Sequence, residues 1–252
     1  MVEIKLKSDK EFINNFILQR TGAFLELGGG AAFQEWQRSG RKNQLTDFLL
    51  QNNLTQEFLK KTLSQMSAEA KSIISTFALD KKLLTKIVSI GPGNGLLELF
   101  LVRGLNDLAK EKKINQVVLI DVEETDTHEH NFRESGSGYA SLQATKEFLE
   151  LNEIGVDISL VNPKHQTLPP SDFQMCCSFL SMGFHYPCNE YEEFILNASP
   201  GSMFLFDKRL GAPDPGFENV MKQYKIVGKI NNGKASRLGL IKSDGSGEPS
   251  NV

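Results

Sequence analysis

The spacing of hydrophobic residues changes near residue 86. Before that point apolar side chains recur at helical intervals. Phe12, Ile13, Phe16 and Ile17 form one stripe, and Leu45, Phe48 and Leu49 a second. Phe58, Leu59, Leu63 and Met66 form a third, with Asn53 and Thr55 as candidate caps. Gly28-Gly-Gly30 interrupts this region and marks a flexible turn. Beyond 86 come short runs that are apolar almost throughout, at 87–90, 117–120, 156–161, 173–180 and 203–206. Continuous rather than alternating apolar character predicts parallel strands covered on both faces. Helices are expected between them. Leu97, Leu101, Leu105 and Leu108 share one face, and further helices are expected at 139–154 and 189–197. Strands at 224–230 and 236–241 flank Asn231-Asn-Gly-Lys234, a hairpin turn. The pattern predicts a doubly wound α/β sheet of mostly parallel strands with an antiparallel last strand, preceded by a helical region. We divide the chain into a helical part at 1–83, an α/β part at 84–242 and a polar tail at 243–252.

Composition narrows the class. With 40% hydrophobic and 23% charged residues in 252, the chain has the balance of a globular protein with room for one large core. A net charge of −3 with dispersed Lys and Arg argues against a nucleic-acid groove. No apolar run approaches the roughly 20 residues that span a bilayer, and MVEIKLKSDKEF lacks a signal-peptide core. Cys176, Cys177 and Cys188 form no CxxC pair, so a cytoplasmic, reducing location is expected.

The segment Lys86-Ile-Val-Ser-Ile-Gly-Pro-Gly-Asn-Gly-Leu-Leu-Glu-Leu-Phe100 combines a strand, a glycine turn and a helix. The next strand ends in Asp121. Turn and carboxylate at neighbouring strand tips suit a nucleoside ligand. A dinucleotide turn has the pattern G-x-G-x-x-G, with the pyrophosphate on the helix N-terminus. Here Leu96 stands in the third glycine's place and the extra glycine is Gly95. That departure suits a ligand without pyrophosphate, whose small zwitterionic end lies over the turn.

The pattern Gly91-Pro-Gly-Asn-Gly95 resembles motif I of the class I S-adenosylmethionine-dependent methyltransferases. The resemblance covers about residues 84–242 and includes the closing hairpin. It implies a Rossmann-like seven-stranded methyltransferase sheet with S-adenosyl-L-methionine as cofactor. In the resemblance, Gly91, Pro92, Gly93, Asn94 and Gly95 cradle the methionine part, and Asp121 with Val122 holds the ribose. A carboxylate accepts well from two adjacent hydroxyls. Asn162, ending the third strand, falls where the family contacts adenine, and Ser178 completes the cofactor set. Glu98, one turn into the helix, favours the helix N-terminal dipole and is read as structural.

Ligands of open α/β sheets bind at the carboxyl ends of the strands. After the fourth strand comes Ser178-Phe-Leu-Ser-Met-Gly-Phe-His-Tyr-Pro187, and the fifth ends in Phe206-Asp-Lys-Arg209. Ser181, Gly183, Phe184, His185, Tyr186, Pro187, Tyr191, Asp207 and Arg209 resemble a narrower sugar O-methyltransferase group, with Met182 where that group has Trp. The resemblance implies methyl transfer to a hydroxyl of a small polar acceptor, a sugar. Removing the hydroxyl proton helps such an attack, and a histidine near its normal pKa suits that task. His185 is one candidate base and Asp207 its rival. Tyr186, Arg209 and Trp36 are candidate acceptor-binding residues, the last in the basic stretch Trp36-Gln-Arg-Ser-Gly-Arg-Lys42 that could lid the site or be plain helical surface. His128 and His130 form an H-x-H without a convincing third ligand, so no metal is expected. Two other readings remain open: a methyltransferase-like binding protein without catalysis, and an NAD(P)-dependent oxidoreductase, which Leu96 disfavours.

Overall fold

The structure is a computed structural model that describes residues 4–6, 10–41, 43–109, 113–123, 141–211, 216–233 and 235–244. The helical region comprises α1 (Lys10–Gln19), α2 (Thr21–Glu26), α3 (Gly30–Ser39), α4 (Gln44–Gln51) and α5 (Thr55–Thr76). The three sequence stripes fall on α1, α4 and α5. On α5 the buried side chains Phe58, Thr62, Met66, Ala70, Ile73 and Ile74 follow one face. The stripes did not signal α2 and α3. These helices flank the Gly28-Gly29 turn and bury only Ala23, Phe24 and Trp36 between them.

The α/β part follows as β1 (Lys86–Ile90), α6 (Leu96–Leu108), β2 (Gln116–Ile120), α7 (Leu142–Leu151), β3 (Asp157–Val161), β4 (Met175–Ser178), β5 (Ser181–Tyr186), α8 (Glu192–Leu196), β6 (Met203–Arg209), α9 (Glu218–Gln223), β7 (Tyr224–Asn232) and β8 (Ala235–Lys242). Seven strands form one sheet in the order β3-β2-β1-β4-β6-β8-β7. β3, β2, β1, β4 and β6 are mutually parallel, and β8 runs antiparallel between β6 and β7. The doubly wound α/β sheet with a reversed last strand is therefore present as expected.

Both faces of the sheet are covered, which explains the near-continuous apolar runs. Ile87, Val117, Leu119, Met175, Cys177 and Leu205 point into one core together with Phe16, Phe24, Phe58 and Phe148 of the helices. Val88, Ile90, Val118, Ile120, Cys176 and Phe204 point into the other, against Phe194 of α8 and Val220 of α9. Phe77, just past α5, lies flat on the sheet over Gly228 and Gly239, where a side chain at Gly239 would overlap its ring.

Local differences from the sequence expectations have local causes. The strand expected at 173–180 is only Met175–Ser178, because Leu180 takes a positive φ of 52° and turns the chain into β5. β5 itself was expected as a loop. It lies beside β6, outside the order of the main sheet. The helix expected at 139–154 spans Leu142–Leu151, with Ser141 as N-cap accepting from Ala144 N at 3.3 Å. It ends before Glu153 and Gly155, both at positive φ. The helix expected at 189–197 is a 3-10 turn, Asn189–Tyr191, followed by α8. Most of the tail at 243–252 lies outside the described residues.

A chain of charges joins the helical region to the sheet. Arg237 on β8 grips Asp207 on β6 through two hydrogen bonds of 2.7 Å. Its third arm donates to Glu69 on α5 at 2.7 Å, and Glu69 also pairs with Arg20 at 3.0 Å. Asp207 and Arg237 are almost fully buried, at 1% and 3% exposure. Burial alone would make Arg237 easier to deprotonate. The Asp207 and Glu69 carboxylates reverse this and hold it charged. The Arg237 guanidinium also covers the Phe179 ring, 4.3 Å from its centroid. Removing one partner of such a pair leaves an uncompensated buried charge. Asp207→Ala is therefore expected to destabilise the protein by about 3–5 kcal/mol, read from urea unfolding.

Candidate functional site

The carboxyl edge of β1, β2, β3 and β4 gathers most of the residues singled out in the sequence. At the tip of β1, Gly91, Gly93 and Gly95 have φ of 68°, 58° and 72°, a region that strains any larger residue. The turn is closed by Gly91 N donating to Ile120 O at 2.8 Å and Gly95 N donating to Pro92 O at 3.1 Å. Gly95 caps α6 and also lets α7 approach: a Cβ there would stand 2.8 Å from Thr145 Cγ2. Thr145 Oγ1 donates to Gly93 O, tying α7 to the turn. Asn94 is buried and donates to Phe12 O at 3.2 Å, tying α1 to it as well.

Two side chains face the glycines from outside the turn. A Cβ on Gly93 would overlap the Gln19 amide, and one on Gly91 would overlap the Ser181 hydroxyl. Gln19 Nε2 donates to Pro92 O at 3.3 Å. Two polar side chains therefore stand against the backbone of the turn.

Asp121 follows β2 directly and is half-buried. Its Oδ1 accepts from Glu123 N at 3.1 Å. Loss of hydration pushes its pKa up to about 6; the Glu123 backbone N–H opposes this and the Glu123 carboxylate adds to it. Asn162 reaches the same segment: its Nδ2 donates to Glu123 Oε2 at 3.0 Å and to Val122 O at 3.5 Å. Asp121, Val122 and Asn162 thus lie together. Glu123 was missed. It adopts a positive φ of 62°, and its Oε1 accepts from Leu142 N at the start of α7. Its only sequence signal is a second carboxylate two residues beyond Asp121.

His185 and Tyr186 belong to β5 and Arg209 ends β6. The His185 ring meets Phe184 edge-on at 4.8 Å, and Arg209 Cζ stands 5.3 Å from the Phe184 centroid. His185 and Arg209 therefore share one aromatic neighbour, and both are half-buried.

Three assignments need correction. Asp207 is not available as a base: both its oxygens are held by Arg237, and Oδ2 also accepts from Leu180 N at 3.0 Å. It fixes the β4–β5 turn instead. Ser178 is fully buried; its hydroxyl donates to Ile90 O at 3.0 Å and accepts from Met182 N at 2.9 Å. It braces two strand tips and cannot reach a ligand. Trp36 is 6% exposed and packs on Phe33 in the helical core, so it is no lid. His128 and His130 lie outside the described residues. Among the described residues no helix is long and apolar enough to cross a membrane, and no group of three His, Cys, Asp or Glu could hold a metal ion.

The sequence matches no family model and no curated protein sequence. Several solved structures are similar to the chain. One is an O-methyltransferase family protein from Burkholderia thailandensis, at 12% identity and TM-score 0.48, covering 95% of this chain and 74% of that one. Another is the magnesium protoporphyrin IX methyltransferase of Synechocystis PCC 6803 with bound SAM, at 14% identity and TM-score 0.45, covering 70% and 79%. A third is a ribosomal protein L11 methylase from Lactobacillus delbrueckii subsp. bulgaricus, at 14% identity and TM-score 0.44, covering 72% and 79%. At such identities the likeness says nothing of the acceptor.

Glu98 has a larger part than a dipole contact. Its side chain is 5% exposed, and Ser89 Oγ donates to its Oε1 at 2.7 Å. Its Oε2 is buried without a hydrogen-bond partner among the described residues. Burial raises its pKa to about 7, against the lowering influence of Ser89 and Arg20. A carboxyl raised in the folded state stabilises below its unfolded pKa and loses that stabilisation as pH rises through the folded value. Thermal stability is therefore expected to fall between about pH 4.5 and 7 through this group. Glu98→Gln, which mimics the protonated form, should flatten that slope and raise the melting temperature at pH 8, as scanned by calorimetry across pH.

Proposed function

We propose that this chain is an S-adenosylmethionine-dependent methyltransferase acting on a hydroxyl of a small polar acceptor, a sugar. The observation that carries this reading is the grouping of the glycine turn, Asp121 and Asn162 on one edge of a sheet with this strand order. Leu96 in the place of the third glycine disfavours the pyrophosphate of a nicotinamide dinucleotide. Asp121 would hold the ribose hydroxyls and Asn162 would hold adenine.

Bound there, S-adenosylmethionine supplies a methyl group on a positively charged sulfur. His185 would take the proton of the acceptor's hydroxyl, and the cofactor would supply the methyl group to that oxygen. With Asp207 engaged by Arg237, His185 is the base. Arg209, at the end of β6, orients the acceptor.

Calorimetric titration with S-adenosylhomocysteine tests the cofactor assignment. Asp121→Ala should weaken binding about tenfold or more. In the unaltered protein, affinity should drop as pH falls through about 6, because protonation of Asp121 removes an acceptor. Asp121→Asn should lack that dependence. Unchanged affinity in Asp121→Ala would refute the assignment. Methyl transfer to a panel of sugars should fall about 10²-fold or more in His185→Gln with cofactor affinity retained. Cofactor binding without transfer to any acceptor would make the chain a binding protein.

A further inference from the structure

We infer that Gln19, from the helical region, belongs to the cofactor site and binds the amino-acid end of S-adenosylmethionine over Gly93; this rests on the function proposed above. Gln19 is the last residue of α1, and its amide is packed against the face of Gly93 that has no side chain. Among the described residues its one hydrogen-bond partner is Pro92 O, at 3.3 Å. The amide oxygen and the second N–H are therefore available to a ligand lying on the turn.

The amide is also held in place from both sides. Before it, Asn94 donates to Phe12 O at 3.2 Å, and Phe12 and Phe16 pack on Phe148 of α7 at 5.2 and 6.1 Å between ring centroids. After it, Arg20 is fixed to Glu69 at 3.0 Å. A side chain with few remaining freedoms binds with less loss of conformational entropy. The chemistry also fits. An α-amino acid group carries a carboxylate and an ammonium side by side, and a carboxamide presents N–H to one and C=O to the other. The adjacent guanidinium of Arg20 already faces a carboxylate. The Gln19 carboxamide, a neutral group that both donates and accepts, stands against Gly93.

Two ligands separate this role from a general structural one. S-adenosylhomocysteine has the amino-acid end, whereas 5′-methylthioadenosine keeps the nucleoside and lacks that end. Calorimetric titration of Gln19→Met, which keeps the volume, should show S-adenosylhomocysteine binding weakened about tenfold, with 5′-methylthioadenosine unchanged within about twofold. Gln19→Glu should weaken S-adenosylhomocysteine further, because the added charge repels its carboxylate, and should again spare the shorter ligand. Equal weakening of both ligands, or no change in either, overturns the inference and leaves the proposed function standing. If the unaltered protein binds neither ligand, the proposed function falls and this inference with it.

Discussion

The chain of charges Arg20, Glu69, Arg237 and Asp207, buried at its Arg237–Asp207 end, sets the arrangement on which the candidate site depends. Each comes from a different element: the entry to α2, then α5, β8 and β6. A buried ion pair contributes little net stability against an apolar substitute, but it tolerates no alternative partner. Here it fixes three things at once. It holds α5 over the sheet, it keeps Gln19 beside the glycine turn through its neighbour Arg20, and it anchors the β4–β5 turn through Leu180 N. Asp207 therefore serves the proposed chemistry by position and not by exchanging a proton.

The helical region is likewise part of the site's foundation. Asn94 and Gln19 connect the glycine turn to α1, while Thr145 connects it to α7. The turn is thus gripped from two helices, and its glycines answer to neighbours as well as to a ligand. Gly95 in particular is required by the approach of Thr145 and Leu149. Leu96, which departs from the dinucleotide pattern, is a buried core residue at the start of α6.

Much of this was legible in the sequence where the information is local. A strand, a glycine turn and a helix occupy consecutive residues, so the turn at 91–95 and Asp121 at the next strand tip could be read directly. The sheet followed from apolar runs, and its reversed last strand from the Asn-Gly hairpin. Pairings between distant segments were not legible. Nothing in Asp207 itself indicates that Arg237 will claim both of its oxygens, so it passed for a base. Ser178 looked like a strand-tip ligand because its two hydrogen bonds are to main-chain groups set by folding. Trp36 misled for a related reason: an aromatic in a basic stretch does not reveal which helix face turns inward. Leu180 hid β5, since a leucine at positive φ gives no turn signal.

The position of β8 bears on how the chain assembles. Although last among the strands, it lies inside the sheet between β6 and β7, and its Arg237 meets a carboxylate 168 residues earlier in the chain. Until β8 docks, β6 presents an open edge, and Asp207 lacks the cation that compensates its removal from water. That carboxylate must keep its hydration up to that moment. Closing the sheet and drying the space beneath α5 therefore go together, because Arg237 of β8 serves both Asp207 of β6 and Glu69 of α5. The glycine-turn side of the edge is built from local βα units, whereas the β5–β6 side takes its final shape only when the last strand is in place.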